Sequence, residues 1–265
     1  TAPAAAPASE EAEGAAPAEP AVQPNACASV LSQAECDALA NVYAETDGAN
    51  WDDNTGWMNP SVSPCEWYGV TCDGGRVSEL RLSGNRLTGR IPAGITSLTA
   101  LRVLELDDNR LRGDVPPRLC ELKPILQTGR FDHNALYASN LRAKRCLDDW
   151  QQDWAATQTV APAGVEVTGI TSTTVELGWT PIAYRPAGGF YEISYAPIIV
   201  GTEPVTAPLA TIVHGTAPLD ATGYTLDGLT PGETYLVWVG TYTPTGPQQE
   251  NDLFSEPAKA FASTV

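Results

Sequence analysis

Basic side chains are scarce in this chain: 15 Lys and Arg stand against 32 Asp and Glu over 265 residues, a net charge of −17. So acidic a surface repels nucleic acid and anionic membranes at long range, which excludes nucleic-acid binding. Long apolar runs are missing too. None approaches the roughly 18 residues needed to span a bilayer, so no membrane insertion is expected. Histidine is limited to His133 and His214. A Cys–His or Ser–His–Asp constellation would have to use one of them. His133 reads as a solvated turn residue, and His214 as an exposed strand end closing the apolar run 209–213. No paired carboxylates are placed for glycan hydrolysis. The chain therefore reads as no enzyme, with no cofactor and no metal. C-x-x-C knuckles are absent, which argues against zinc. Asp52-Asp53-Asn54-Thr55-Gly56 and Asp107-Asp108-Asn109 lack the alternating ligands and distal Glu of a calcium loop, and read as a turn and as solvent-facing acids. The one Asn-x-Ser/Thr sequon, Asn59-Pro60-Ser61, is blocked by its proline.

What is present begins with six cysteines, falling as three local couples, Cys27/Cys36, Cys65/Cys72 and Cys120/Cys146. Each couple can close a loop without crossing the others. Sequence does not fix connectivity, but three disulfides and an oxidising, extracellular or cell-surface location are the expectation. The start at Thr1, in Ala/Pro/Glu-rich sequence, reads as a chain whose export signal has been removed. Residues 1–25 hold Glu10, Glu11, Glu13 and Glu19 and a single larger aliphatic side chain, Val22. They bury too little to offset ordering entropy and read as a semi-extended acidic arm.

Ser32-x-x-Glu35 is a capping box that opens a helical pattern with Leu39, Val42, Tyr43 and Thr46 on one face and Gly48 where a C-cap would stand. Trp51, Trp57 and Trp67 follow. They read as the core of a small cap, with an aromatic sugar platform as the sharper alternative. A repeat then decides the architecture. In the frame L-x-x-L-x-L-x-x-N-x-L the chain supplies Val77, Leu80, Leu82, Asn85, Leu87, then Leu101, Leu104, Leu106, Asn109, Leu111, then Leu126, Gly129, Phe131, Asn134, Leu136. The first two units share a turn as well, Gly89-x-Ile91-Pro92 and Gly113-x-Val115-Pro116. Each unit buries its leucines only against a neighbour, so about three units plus caps are needed.

The N-x-L-x-G-x-[IV]-P turns, preceded by Pro64-Cys65-x-Trp67-x-Gly69-Val70-x-Cys72, resemble the plant-type extracellular leucine-rich repeat and its N-terminal cap over residues 27–153. Similar segments occur in exported bacterial-type surface proteins. The resemblance implies a curved stack with one face of parallel strands and an internal asparagine ladder. Members that recognise ligands on the concave face carry many more units, so a large recognition groove is not expected. The irregular third unit and the helical-looking segment 141–154 read as a C-terminal cap stapled by Cys120 and Cys146.

A composition shift at 157–162 reads as a linker. Beyond it Val175, Leu177 and Trp179, then Tyr191, Ile193 and Tyr195, then Tyr235, Val237 and Val239 alternate between Gly/Pro/Thr turns, which argues a β-sandwich. Leu229-Thr230-Pro231-Gly232-Glu233-Thr234-Tyr235, with Trp179, resembles the fibronectin type III domain and its tyrosine corner over 161–265. The fold class is thus a short, capped α/β leucine-rich-repeat solenoid followed by an all-β immunoglobulin-like sandwich. Its expected divisions are 1–25 (arm), 26–156 (repeats and caps) and 157–265 (sandwich).

Three surfaces are candidates for binding. The central outward positions of the repeat strands are Arg81, Glu105 and Arg130, a plus-minus-plus column flanked by Ser83, Asp107 and Asp132 that is either an ion ladder or a docking patch. Arg112-Gly113-Asp114 spells an integrin-recognition tripeptide, although the repeat's turn already requires Gly113. With Tyr235, Val237 and Val239 inward, Leu236 and Trp238 point out of the sandwich and mark an interface, with the repeats or with another chain. The sequence reads as an exported, non-enzymatic interaction protein whose partner is another protein or itself. The alternative is a structural subunit that polymerises through its N-terminal arm.

Overall fold

The structure, a computed structural model, describes residues 27–198, 212–247 and 249–265. The acidic arm at 1–25 and most of the run 209–213 lie outside these residues.

Helix α1 (Gln33–Glu45) begins where the capping box places it: Ser32 caps the first turn and the Glu35 side chain returns to the Ser32 backbone. Glu35 does more than cap. Fully buried, it accepts from the Val77 backbone N–H at 3.1 Å and so ties the helix to the first repeat strand. The helix ends at Thr46, not Gly48, and the left-handed residue is Asp47. Gly48 is glycine for another reason: a Cβ there would lie 2.2 Å from the Tyr43 ring. That ring packs with Trp51 and Trp57, and Trp57 packs on Trp67, all three indoles buried. They are cap core and not an exposed platform.

Strand β1 (Val70–Asp73) runs antiparallel to β2 (Arg76–Arg81), which continues in parallel into β4 (Val103–Glu105) and β6 (Thr128–Arg130). A second ribbon on the far side is built from β3 (Thr88–Gly89), β5 (Arg110–Asp114) and β7 (Ala135–Tyr137). Short 3₁₀ turns at Ala93–Ser97 and Pro117–Leu122 return the chain between them. Leu80, Leu82, Leu104, Leu106 and Phe131 fill the space between, continuous with the tryptophan cap. In the third unit Gly129 stands in a leucine position because its neighbours fill the space: a Cβ there would lie 3.0 Å from Phe131 Cε2 and 3.2 Å from Cβ of Trp150 in α2 (Leu141–Trp150). Three disulfides, Cys27–Cys36, Cys65–Cys72 and Cys120–Cys146, tie this region together.

The remaining strands are β8 (Ala163–Ile170), β9 (Val175–Thr180), β10 (Phe190–Pro197), β11 (Ile212–Pro218), β12 (Gly223–Leu226), β13 (Thr234–Thr243), β14 (Leu253–Phe254) and β15 (Ala258–Ser263). One sheet has the order β12-β9-β8. The other has β11-β10-β13, with β14 and β15 sharing the far side of β13. Val175, Leu177, Tyr191, Ile193, Val237 and Val239 meet between them in a second, separate core. Tyr235 Oη accepts from the Thr230 N–H at 2.9 Å, which makes the tyrosine corner.

Candidate functional site

An asparagine ladder ties each repeat to the next along the edge of the strands. Asn109 Oδ1 accepts from the N–H groups of Asn85 and Leu87, and its Nδ2 donates to the carbonyls of Leu82, Leu106 and Asp107. Asn134 repeats the pattern one unit on. The column is closed at both ends. At the first, Asn85 accepts from the Asp53 N–H and donates to its carbonyl, so the Asp52–Gly56 turn is a ladder cap. At the last, Gln158 accepts from Leu136 N–H and donates to Phe131 O. Sequence reading passed over Gln158 because it is not asparagine. It nevertheless lies 24 residues after Asn134, the same step that separates Asn85 from Asn109. The segment read as a linker is therefore partly embedded: Gln158 and Thr159 are 1% and 0% exposed.

The charged column is engaged with itself. Arg81, Glu105 and Arg130 occupy matching register positions. Arg81 pairs with Glu105 at 2.6 Å and Glu79 at 3.0 Å, which raises its guanidinium further above its usual value. Arg130 departs from the column and pairs with Asp107 one step along, at 3.0 Å. Asp107, expected to face solvent, is instead 3% exposed, and its buried carboxylate is satisfied by Arg130 and by accepting from Ser83 Oγ. Asp132 accepts from Thr157 Oγ1. Asp114 of the Arg-Gly-Asp triplet accepts from the backbone and hydroxyl of Ser139, and the triplet lies in β5 rather than at a loop tip.

A seam joins the repeats to the sandwich. Asn251 donates to Asp108 O at 2.9 Å and accepts from Arg110 Nε at 3.1 Å. Glu256 receives Arg90 at 2.6 Å and the Tyr137 hydroxyl at 3.2 Å. Thr159 and Thr243 share a buried 2.6 Å hydroxyl contact. His133 is not solvated. Its ring lies 5.5 Å from that of Tyr184, and its Nδ1 is 3.2 Å from Asp108 Oδ1. That oxygen is buried and has no aligned hydrogen-bond donor among the described residues. Burial raises the Asp108 carboxyl above its ordinary value; His133 pulls it down, while Asp107, Glu250 and Asp132 push it further up. His214 is likewise half-buried and not a free strand end. It reaches Tyr224 Oη at 3.1 Å and Asp227 at 3.2 Å, bridging β11 to the end of β12.

The outer face of the β11-β10-β13-β15 sheet takes no part in the seam contacts described above. Leu236 stands opposite Ala196 and Phe261; Trp238 stands opposite Ser194 and Lys259. Further along, Phe190, Tyr242 and Phe254 form an aromatic row across three strands, with ring centroids 4.8 Å apart at each step. Phe261 and Phe254 are 68% and 58% exposed. Among the described residues no group of His, Cys, Asp and Glu is arranged to hold a metal, and no helix is long and apolar enough to cross a membrane.

Comparison with known proteins matches residues 33–73 to the leucine rich repeat N-terminal domain, 76–98 and 100–122 to the leucine rich repeat, and 160–255 to the fibronectin type III domain. A probable inactive receptor kinase of Arabidopsis thaliana is 54% identical over 61 residues, 23% of this chain and 9% of that protein. A brassinosteroid LRR receptor kinase of Oryza sativa subsp. japonica is 43% identical over 79 residues, 29% of this chain and 6% of that protein. The chain thus spans a small fraction of these receptors' length. A two-domain fibronectin type III segment of chicken tenascin is 27% identical, covering 41% of this chain and 52% of its own, with a TM-score of 0.30.

Proposed function

We propose that this protein works outside the cell as a non-enzymatic interaction module, in which the repeat stack is the mount and the outer face of the sandwich is the docking surface. The divisions 1–25, 26–156 and 157–265 belong to this reading as arm, mount and docking domain. The observation that carries it is the apolar surface gathered on one sheet face, with Phe261 and Phe254 exposed and Leu236 and Trp238 half-buried beside them, where a solitary domain shows water-compatible side chains. The concave face is the weaker candidate, because its charges already pair with each other. Three disulfides and the extracellular type of the repeats support the location. An exported bacterial surface protein would suit the same build, but the matched receptors are plant proteins and lend that setting no support.

Labelled protein titrated onto intact cells of the organism that makes it tests the reading. Saturable binding should fall at least tenfold for the double variant Leu236→Ser/Phe261→Ser and stay within twofold for Arg81→Ala/Arg130→Ala. Binding indifferent to the first variant, or no saturable binding at all, overturns it. Adhesion through Arg112-Gly113-Asp114 is not favoured, since Asp114 is committed to Ser139. Self-assembly through the arm rests on composition, and loss of polymers on deleting residues 1–25 is its test.

A further inference from the structure

The outer face is not uniformly apolar. Along β13 the outward side chains run Trp238, Gly240, Tyr242, so the row between two aromatic positions has no side chain on this strand. The cross-strand partner of Gly240 on β10 is Glu192. A trough of about 310 Å³ results, floored by Gly240 and Ser194, walled by Trp238 and Phe254, with Glu192 at one side. Nothing in the fold requires the glycine. Its φ is ordinary, and a Cβ there would meet only Pro257 Cβ, at 3.9 Å. Glycine in a strand interior costs stability and often marks a place where a ligand comes close.

Two polar groups in the trough are uncommitted. Glu192 is half-buried, yet its carboxylate has no hydrogen bond or ion pair among the described residues. Trp51, Trp57, Trp67, Trp154 and Trp179 all donate their indole N–H to a protein oxygen. Trp238, like Trp150 of α2, has no such acceptor among the described residues. Lys259 stands across Trp238 from β10 and does not line the trough.

Resting on the reading of this face as a docking surface, we infer that the trough receives a cationic side chain, arginine or lysine, from a basic protein partner. Aromatic walls attract a cation through their faces, and a carboxylate beside them adds a charge-assisted hydrogen bond. The chain's net charge of −17 draws a basic partner toward it and opposes a second copy of itself.

The test uses the full chain and a fluorescein-labelled Gly/Ser peptide carrying two arginines, with a citrulline-substituted peptide as the uncharged match. Anisotropy should show the arginine peptide binding at least tenfold more tightly than the citrulline one. Gly240→Val, which fills the trough without changing charge, and Glu192→Gln should each weaken binding at least tenfold. Glu166→Gln, which removes the same charge from exposed β8, should change it less than twofold. Equal binding of the two peptides, binding unaffected by Gly240→Val, or an equal loss with Glu166→Gln overturns the proposal. So does a Gly240→Val-sensitive dimer, or a neutral oligosaccharide that binds regardless of Glu192. If cell binding is lost in Leu236→Ser/Phe261→Ser but kept in Gly240→Val, the docking surface stands and the trough fails. If the arginine peptide binds and saturable cell binding is absent, the trough stands and the docking surface fails.

Discussion

The two halves of this molecule treat polarity in opposite ways. In the repeats nearly every polar group on the concave edge is committed: the asparagines to backbone, Arg81 to Glu105, Arg130 to Asp107, Asp132 to Thr157. In the sandwich the polar contacts gather at corners such as Tyr235, and one broad face keeps aromatic rings exposed and Glu192 without a partner among the described residues. A repeat stack this short meets its own hydrogen-bonding needs and has little left to offer a ligand. On the reading proposed above, recognition falls to the sandwich, whose outer face carries the side chains left without partners.

Breaking the ladder is the most severe way to test this division. Asn109→Ala leaves two buried N–H groups and the Leu82 carbonyl without a partner, while the Leu106 and Asp107 carbonyls keep Asn134 Nδ2 and the Gly84 N–H; at roughly 1–3 kcal/mol for an unpaired buried group, partly relieved by relaxation, the expected loss is about 4 kcal/mol. Hydrogen exchange should show the repeat strands opening while β9, β10 and β13 keep their protection. A matching probe on the other side is Tyr235→Phe, which strips the Thr230 N–H of its acceptor. About 1–2 kcal/mol should be lost in urea unfolding, with protection falling in the sandwich alone. Equal loss in both halves under either substitution would show that the seam makes them one cooperative unit.

Smaller, and placed on the seam itself, is Asp108→Asn. Burial holds the folded-state pKa of Asp108 above its ordinary value of 3.8, so its contribution favours folding at pH below that value and is lost as pH rises through the folded-state pKa. The asparagine variant should be more stable than wild type at pH 7, and the gain should vanish as the pH falls to the ordinary carboxylate range. The backbone bond from Asn251 to Asp108 O survives the change, and asparagine tolerates the positive φ. A thermal unfolding series across pH 3 to 8 reads the crossover.

Much of this architecture was legible because it is local or periodic. The leucine frame set the strands of the repeats, alternation set those of the sandwich, and Ser32 with Glu35 set a helix start. What escaped depends on residues far apart in the chain. Arg110 and Asn251 meet across the seam with nothing nearby in sequence to announce it, and composition marked Gln158 and Thr159 as linker when both are buried. Leu236 and Trp238 were legible as outward-facing from strand parity. The trough beside them was not, because it comes from an absent side chain at Gly240 and a glutamate on a different strand. Gly48 was misjudged as a helix cap for a local reason: the Tyr43 ring that excludes a Cβ lies outside any cap pattern.

The ladder is sealed by a backbone at one end and a glutamine at the other, while its interior rungs are interchangeable. Length is therefore a free parameter of this design. Duplicating the unit around Asn109 would leave both seals intact and carry the sandwich one step further round the curve of the stack. The stack would then act as an indexing device, in which the number of repeats sets the direction in which the aromatic face looks, and a lineage or an engineer could re-aim that face without altering one of its residues.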